Sequence, residues 1–583
     1  MLWARLIPLV LGIVMMGLSL TIRPFDRGLL TIPLTLAIGF LIARWYTSIP
    51  MSTIDSAWQK CVRYSAWPRS AWLPVCLTLV LSLLPSLGRG HFPYPDNHDE
   101  LSYHLAADTY LHGRLANPTP DGWEHFESFH INVIPSYCSK YQPGMGLILA
   151  LGKLMSHTYL GALLALVLAT LALTWMFHQW LPPRWAMFAS LLACFGLCGN
   201  WSDCYFVGGP LAVIAGALQL GMYRVLKRRY VCWCDGIVLA SCLVIFLWTR
   251  PFEGAIVSVI IGAPLLYQLI RRQGIGVLLW PLIPSSLFIL LPALWFQAEL
   301  NHACTGSYIQ LPYLEHERQY GQTPLFLIQS VRSDVPDYRH AQMRLFNEQM
   351  IEWYQMQHSS KHLLEVSKFK FGVAWTYFYG LLWLLPLATL PKLLRRGESR
   401  MLLAVWFGTL LILQTVTWFL HHYAAPAFPA WSLAIIMSLR IVRLWKYRDY
   451  PLGRFLVVML TAGFCSQILF ERTMASIYSR TSWSEHRALL TQQMLSQGPA
   501  HLVLLEYGPG HNTGQEWVYN SADLAHQPII WARSMSPAKD RELIAAYPHR
   551  KVWLLQVNSQ EHGKKPSLQP FEPQPGILAP NHQ

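Results

Sequence analysis

The stretch HDELSYHLAADTYLHGRLANPTP, from His98 to Pro120, is a polar segment that lies shortly after a long apolar run. Asn97 is a residue type that caps helices, Glu100 stands where a capping box needs it, and Gly113 is typical of a helix end. A helix from about His98 to His112 is therefore predicted. Leucines on one side of this helix, interrupted by polar residues, favour a helix that lies on a membrane surface.

The composition around this stretch is that of a membrane protein. The chain has 583 residues, of which 53% are hydrophobic and only 13% charged, with a mean hydropathy of +0.28. Apolar runs of roughly 17 to 23 residues, enough to cross a bilayer as a helix, recur along most of it. About thirteen spans are predicted, near residues 5–22, 28–45, 71–88, 159–180, 184–199, 207–226, 236–249, 253–270, 275–297, 372–391, 401–420, 424–440 and 452–470.

The basic residues indicate which connections face the cytoplasm. Lysines and arginines are concentrated in alternate connections, at 60–69, 224–229, 271–272, 392–400 and 440–448. By the positive-inside rule these connections and the N-terminus are cytoplasmic. Membrane topology therefore explains the net charge of +14, and no nucleic-acid partner is expected.

Three regions are then expected outside the membrane, at 89–158, 298–371 and from 471 onward. In the last region, HLVLLEYGPG, QPIIWARSM and KVWLLQV read as buried strands, and Pro537 to Tyr547 as a helix. We therefore predict two extra N-terminal spans in 1–70, a membrane module in 71–470 and a small α/β domain in 471–583. Cys138, Cys204 and Cys304 are the outward cysteines, and the sequence leaves open whether any two of them pair.

Asp99 and Glu100 open the predicted outer helix. Acids in a first helical turn complement the helix dipole, and this is the favoured reading for Glu100. Asp99 has no capping task, so a functional role is favoured for it. Lys140 and Tyr141 precede Pro143 and a helix of about a dozen residues, which is too short to span a membrane.

Other polar groups are expected at the same outer level, each in a short loop. They are Asp203, Arg250, Glu253, Glu315, Arg318, Tyr320, His421, His422 and Tyr423. In an alternative interpretation Arg250 and Glu253 simply form an ion pair with each other. The predicted inner loops carry little besides lysine and arginine. The distribution therefore predicts that chemistry takes place on the outer face.

Several segments resemble a known superfamily. The acidic pair in DELSYHLAADTYLHGRL resembles the first outer loop of protein O-mannosyltransferases and aminoarabinose transferases, GT-C integral-membrane glycosyltransferases that use polyprenyl-phosphate sugars. KYQPG is similar to another segment of that loop. HFESFHI, SKYQPGMGLILALG, RPFEG, TGSYIQLPY, HHYAAP and EWVYNSAD are similar to segments of bacterial membrane proteins described only as glycosyltransferase-like. The resemblance covers nearly the whole chain.

The resemblance implies catalytic roles for three acids. Asp99 matches the loop carboxylate that acts as base or orients the acceptor, Glu100 its neighbour, and Asp203 a second acid matched by location only. His422 and Tyr423 match the loop that approaches the lipid phosphate, although a histidine stands where an arginine is expected. The full set of predicted substrate-binding residues is His98, Tyr103, Lys140, Tyr141, Arg250, Glu253, Arg318, Tyr320, His421, His422 and Tyr423.

The resulting hypothesis is an inverting glycosyltransferase of the bacterial inner membrane. A carboxylate takes the proton of an acceptor hydroxyl, on a glycan, lipid or protein, while cations stabilise the departing polyprenyl phosphate at the periplasmic surface. No cofactor is required by a motif, although Asp99, Glu100 and Asp203 are oxygen ligands compatible with a divalent metal cation. The C-terminal domain is expected to be periplasmic.

Two other classes of protein fit the sequence less well. A ligase or polymerase of lipid-linked oligosaccharides should favour paired arginines for a diphosphate donor, yet those in 298–371 are scattered. A transporter or flippase should carry ionisable groups in mid-span, and the predicted spans are nearly free of them.

Overall fold

The computed structural model describes residues 24–49, 67–477, 482–558 and 566–571, and within these ranges the chain is mainly helical. The α-helices are α1 (Pro24–Ser48), α2 (Trp72–Arg89), α3 (His98–Leu111), α4 (Pro143–Leu154), α5 (Thr158–Trp180), α6 (Pro183–Trp201), α7 (Gly208–Leu226), α8 (Trp233–Leu247), α9 (Pro251–Gln273), α10 (Ile283–Thr305), α11 (Pro312–Tyr320), α12 (Ala341–His358), α13 (Leu363–Tyr379), α14 (Leu384–Ala388), α15 (Leu390–Leu393), α16 (Gly397–Leu413), α17 (Phe428–Val442), α18 (Leu452–Ile477), α19 (Trp483–Leu495) and α20 (Pro537–Ala546).

Seven of the described helical stretches are long and apolar enough to cross a membrane. They are Arg69–Arg89, Thr158–Trp180, Gly208–Leu226, Pro251–Gln273, Leu278–Thr305, His421–Val442 and Leu452–Ile477. The chain is thus a multi-pass membrane protein. The predicted count of thirteen spans is not confirmed. The candidate at 5–22 lies outside the described residues, and the one at 372–391 is divided among short helices around Gly380, whose φ is +48°.

The outer helix α3 begins and ends close to its predicted limits. The side chain of Asn97 accepts a hydrogen bond from the Asp99 N–H, and Gly113 follows the helix with a φ of +69°. However, protein covers both sides of α3. Tyr103 and Ala107 pack against the α4–α5 side, whereas Leu101 packs against the C-terminal region. The leucine side, which was expected to meet the membrane, is therefore covered by the C-terminal region at Leu101.

The C-terminal region contains a four-stranded sheet, in which the three predicted strands are joined by a fourth that was not predicted. Its strands are β3 (His501–Tyr507), β4 (Ile529–Arg533), β5 (Lys551–Val557) and β6 (Ser567–Pro570), in the order β4-β3-β5-β6. β3 pairs in parallel with β4 and β5, and β6 pairs antiparallel with β5. A two-stranded ladder of β1 (Ile131–Asn132) and β2 (Cys138–Ser139) lies in region 89–158. This region is called the first outer loop, after the side of the membrane that the sequence predicts for it.

The first outer loop contributes to both faces of this sheet. Val503 and Leu505 share a buried cluster with Leu101 of α3, whereas Leu502 and Leu504 share another with Phe126. Such alternation is expected of a strand, whose successive side chains point to opposite faces. The C-terminal region and the first outer loop therefore share one core, and this packing fixes the position of α3.

Candidate functional site

Asp99 lies at the start of α3, and aromatic and imidazole groups surround its carboxylate. Tyr141 donates a hydrogen bond from its hydroxyl to Asp99 Oδ1. His98 Nδ1 lies 3.4 Å from Asp99 Oδ2, and His130 Nε2 lies 3.9 Å from Oδ1. Among the described residues no lysine or arginine forms an ion pair with this carboxylate. Its charge is therefore available to a ligand.

The environment of Asp99 keeps it ionised. Burial by itself would raise the pKa of Asp99, but the neighbouring His130 and His98 rings and the Tyr141 hydroxyl lower that pKa well below its ordinary range. Burial lowers the pKa of His130, and the nearby charge of Lys140 lowers it further. The site thus presents a carboxylate beside two imidazoles.

Glu100 has a structural role that differs from the predicted capping box. Its Oε2 accepts the N–H of Asp96 at 2.8 Å, one residue before the cap, and its Oε1 accepts the N–H of Tyr205 at 2.6 Å. Burial raises the pKa of Glu100 to about 7 against the opposing effect of these two backbone hydrogen bonds. Glu100 therefore ties α3 to the loop before α7, and its side chain points away from that of Asp99.

Arg250 provides the cation of the site. Its guanidinium lies 4.5 Å from the ring centre of Tyr423, as in a cation–π contact. The alternative in which Arg250 and Glu253 simply pair is not observed. Among the described residues no carboxylate lies within 4 Å of the guanidinium, and Glu253 acts on it only over a longer distance. Arg250 is thus a cation without a directly paired anion.

An aromatic wall joins Asp99 to Arg250. The ring of Tyr103 lies 4.9 Å from that of Tyr141 and 6.4 Å from that of Phe206. Phe206 in turn stacks on His422 at 4.9 Å. The ring of Tyr423, on which the Arg250 guanidinium lies, is 5.0 Å from that of His422 and completes the connection. Burial raises the pKa of Tyr103, the charge of Asp99 raises it further, and the charge of Arg250 lowers it.

Lys140 lies at the edge of this cluster and already has a partner. Its Nζ is 3.2 Å from Glu317 Oε1 and 4.5 Å from the ring centre of Tyr313. The Tyr313 and Tyr141 rings are 6.4 Å apart, which brings α11 of the second outer region to the first outer loop. Because Glu317 balances its charge, Lys140 is a weaker candidate for phosphate binding than Arg250.

Other predicted site residues have different partners. Asp203 forms a two-bond ion pair with Arg89, at 2.5 Å for the shorter contact. Arg318 is largely exposed and pairs with Glu315. Tyr320 donates a hydrogen bond to Glu127. His421 is in edge contact with His422, with ring centres 5.4 Å apart. Of these, only His421 lies beside the candidate site.

Three residues of the site were missed by sequence reasoning. Tyr313 ends the segment TGSYIQLPY and Phe206 lies three residues after Asp203, but neither aromatic residue carries a local signal for a site. His130 lies in the HFESFHI segment, and its φ of +62°, uncommon outside glycine, marks it only once the backbone is known.

His98, Asp99 and His130 could together hold a divalent cation. One ligand atom from each lies within 4.8 Å of the others. His130 Nδ1 is buried and has no hydrogen-bond partner among the described residues, and a neutral imidazole is a metal ligand. The donor set therefore fits a metal, although it differs from the predicted Asp99, Glu100 and Asp203: Glu100 and Asp203 already have partners.

No protein-family model matches the chain, and no curated protein does. Among solved structures it resembles ArnT from Cupriavidus metallidurans in the apo state, at 11% identity over 83% of this chain and 92% of that one, with a TM-score of 0.48. The Archaeoglobus fulgidus oligosaccharyltransferase in complex with Zn and sulfate matches at 10% identity over 82% and 67% of the chains, with a TM-score of 0.47.

The mycobacterial arabinofuranosyltransferase AftD matches at 12% identity over 84% of this chain and 35% of its own length, with a TM-score of 0.41. The chain spans 62% of the oligosaccharyltransferase in its apo form. With TM-scores below 0.5, the likeness assigns neither an activity nor a substrate to this chain.

Proposed function

We propose that the chain is a membrane glycosyltransferase that transfers a sugar from a polyprenyl-phosphate donor to an acceptor hydroxyl with inversion at the anomeric carbon. The acceptor is a glycan, a lipid or a protein. One observation carries the proposal: among the described residues Asp99 has no lysine or arginine partner and Arg250 has no carboxylate partner, and a continuous series of ring contacts connects the two groups. A transfer that needs both a proton acceptor and a phosphate partner uses that arrangement.

Asp99 is proposed as the base. The acceptor oxygen attacks the anomeric carbon, the bond from that carbon to the phosphate oxygen breaks, and Asp99 takes the acceptor proton. The low pKa of Asp99 makes it a weak base, so the proton moves late, when the attacking oxygen has become acidic. Tyr141 orients the carboxylate by donating to Oδ1. A single displacement inverts the configuration.

Arg250 is proposed as the partner of the departing phosphate. A guanidinium offers fixed donors that suit phosphate oxygens, and its stacking on Tyr423 limits the freedom it loses on binding. His422 and Tyr423 each interact electrostatically with both Asp99 and Arg250, which supports their assignment to the donor side. Lys140 would add to the local positive potential only if Glu317 released it.

The site is proposed to face the periplasm of a bacterial inner membrane. Arg250 immediately precedes the span Pro251–Gln273, and His422 and Tyr423 begin the span His421–Val442. The basic residues Arg271 and Arg440 lie near the other ends of the same helices. By the positive-inside rule the N-terminus is then cytoplasmic and the C-terminal region periplasmic. The proposal includes two extra N-terminal spans in 1–70, a membrane module in 71–470 and a small α/β domain in 471–583.

A divalent cation, if the enzyme uses one, would be held by His98, Asp99 and His130. Such an ion supplies positive charge that orients and stabilises an oxygen anion. Coordination would also draw on the Asp99 carboxylate and lower its basicity. Removal of metal by a chelator should therefore change turnover if the ion is resident, and the amount of metal bound per chain should fall in a His130→Ala variant.

Transfer by purified protein in proteoliposomes tests the proposed function. The donor is a synthetic polyprenyl-phosphate sugar with a labelled sugar, and the acceptor is an envelope fraction from a deletion strain. Arg250→Gln should lower kcat/KM for the donor by about 10² or more because a charged phosphate contact is lost. Arg250→Lys should recover part of this loss. Arg318→Gln, which removes an exposed arginine paired with Glu315, is the matched control.

The same assay separates the alternatives. Transfer only from a polyprenyl-diphosphate oligosaccharide would assign the chain to the ligases or polymerases. Movement of the labelled donor across the bilayer without transfer would assign it to the transporters. Retention of the anomeric configuration, read by NMR of the product, would contradict the single displacement.

A further inference from the structure

Two buried cysteines meet where the first outer loop contacts the end of α10. Cys138 lies on β2 with 2% of its surface exposed, and Cys304 lies in the last turn of α10 with 1% exposed. Both belong to one small hydrophobic cluster with Leu300. The two cysteines are 166 positions apart in the chain. The fold therefore brings cysteines from two distant segments into one buried cluster.

Neighbouring hydrogen bonds hold this pair in place. Ser136 Oγ donates to the carbonyl oxygen of Cys304 at 2.9 Å and lies 3.7 Å from Cys138 Sγ. Asn132 Nδ2 lies 4.0 Å from Cys138 Sγ, and the Cys304 thiol faces the carbonyl oxygen of Leu115 at 3.8 Å. Ser136 is thus in contact with both cysteines and holds the two segments together.

We propose that Cys138 and Cys304 form a disulfide bond in the native protein, which links the first outer loop to the end of α10. This inference requires the outward orientation of these segments but not the glycosyltransferase activity. The compartment outside a bacterial inner membrane is oxidising, so disulfides persist there.

The bond forms by thiol–disulfide exchange with a protein disulfide as oxidant. The Cys138 thiol loses its proton and attacks as a thiolate. It displaces one sulfur of the oxidant and forms a mixed disulfide; Cys304, deprotonated in its turn, then attacks Cys138 Sγ. Two protons and two electrons leave the cysteines, and the oxidant becomes a dithiol. Because both sulfurs are buried in the folded chain, exchange takes place before the loop closes.

The bond would stabilise the arrangement of residues on one side of the candidate site. Lys140 and Tyr141 follow Cys138 closely in the chain, and Tyr313 and Glu317 of α11 follow Cys304. The contacts of Lys140 with Glu317 and of Tyr141 with Tyr313 bring these same two segments together. A covalent link close to these contacts limits their separation when the surrounding loops fluctuate.

Thiol labelling of the whole protein tests the bond. Cells are quenched with acid, the protein is denatured, and free thiols are blocked with a maleimide before and after reduction. Without reduction, two fewer of the eleven cysteines should label, and peptide mass spectrometry should recover Cys138 linked to Cys304. In Cys138→Ser, Cys304 should become free to label, whereas Cys242→Ser, at another buried cysteine, should leave the linked peptide intact. Labelling of both Cys138 and Cys304 in the unreduced wild type would overturn the inference.

A second measurement needs no activity and no knowledge of the substrate. A reductant should lower the melting temperature of the purified wild type by a few degrees and leave that of the Cys138→Ser, Cys304→Ser variant unchanged. An equal response of both proteins would contradict the bond. Loss of the linked peptide with normal sugar transfer would reject the disulfide alone, and a linked peptide without transfer would reject the function alone.

Discussion

Asp99 and Glu100 are neighbours on α3, yet the structure predicts opposite consequences when each carboxylate is replaced by its amide. The carboxylate of Asp99 faces the candidate site, whereas the buried carboxylate of Glu100 accepts hydrogen bonds from two backbone N–H groups. Asp99→Asn should therefore impair catalysis without much loss of stability. Glu100→Gln should do the reverse.

The expected loss in Asp99→Asn follows from its contacts. Asn keeps an oxygen that accepts from the Tyr141 hydroxyl, so stability should change by about 1 kcal/mol or less. It has no basic lone pair for the acceptor proton. Loss of general base catalysis typically costs about 10² to 10⁴ in rate, which corresponds to a barrier higher by about 3 to 5 kcal/mol.

The expected cost of Glu100→Gln is larger than the capping-box reading of the sequence suggests. That reading predicts a cost of about 1 kcal/mol or less. In the structure one carboxylate oxygen accepts from Asp96 N and the other from Tyr205 N, and Gln replaces one of these oxygens with an NH₂ group. One buried N–H then loses its acceptor, which costs about 1 to 3 kcal/mol when stability is measured near pH 5, where Glu100 is protonated and the substitution relieves no buried charge. Turnover at matched folded protein should fall by no more than about threefold.

Sugar transfer and thermal unfolding of the same preparations measure the two effects. Transfer is followed from the labelled polyprenyl-phosphate donor, and unfolding by size-exclusion chromatography after heating. Asp203→Asn is the matched acid control, since its carboxylate is already paired with Arg89, and it should transfer at a nearly normal rate. Near-normal turnover of Asp99→Asn would refute the assignment of the base, and a stability loss shared equally by both variants would refute the contrast.

Three further predictions concern pH, orientation of the base and the C-terminal core. The folded-state pKa of Glu100 is about 7, above its ordinary value of 4.5, so the protein should lose about 3 kcal/mol of stability as the pH rises from 4.5 to about 7. Melting curves across this range check the loss, and Glu100→Gln should flatten the profile. Tyr141→Phe removes the hydrogen-bond donor to Asp99 and should slow transfer about tenfold. Because this donor lowers the pKa of Asp99, the acid limb of the pH–rate profile should move to higher pH. An unchanged rate and profile would count against the orienting role of Tyr141. Arg533→Met leaves the buried Glu516 without its ion-pair partner and should destabilise the C-terminal region by about 3 to 5 kcal/mol. Denaturation curves measure this effect, and a change below about 1 kcal/mol would contradict the prediction.

Local signals in the sequence determine the elements of this protein. The cap at Asn97 and the stop at Gly113 define α3, because both depend on backbone conformation within a few residues. Long apolar runs define most of the membrane helices, and short buried runs define β3, β4 and β5. These features follow from periodicity and length, which any window of the chain contains.

Only the tertiary structure decides which charged groups are neutralised. Asp203 and Asp99 look alike in the sequence, but Arg89 meets Asp203 across 114 residues of chain and no cation pairs with Asp99 among the described residues. Glu100 likewise reaches Tyr205 across 105 residues. A pairing of this kind depends on how helices pack and not on local spacing, so a single sequence identifies the candidate acids, and the fold determines which of them keeps an unpaired charge.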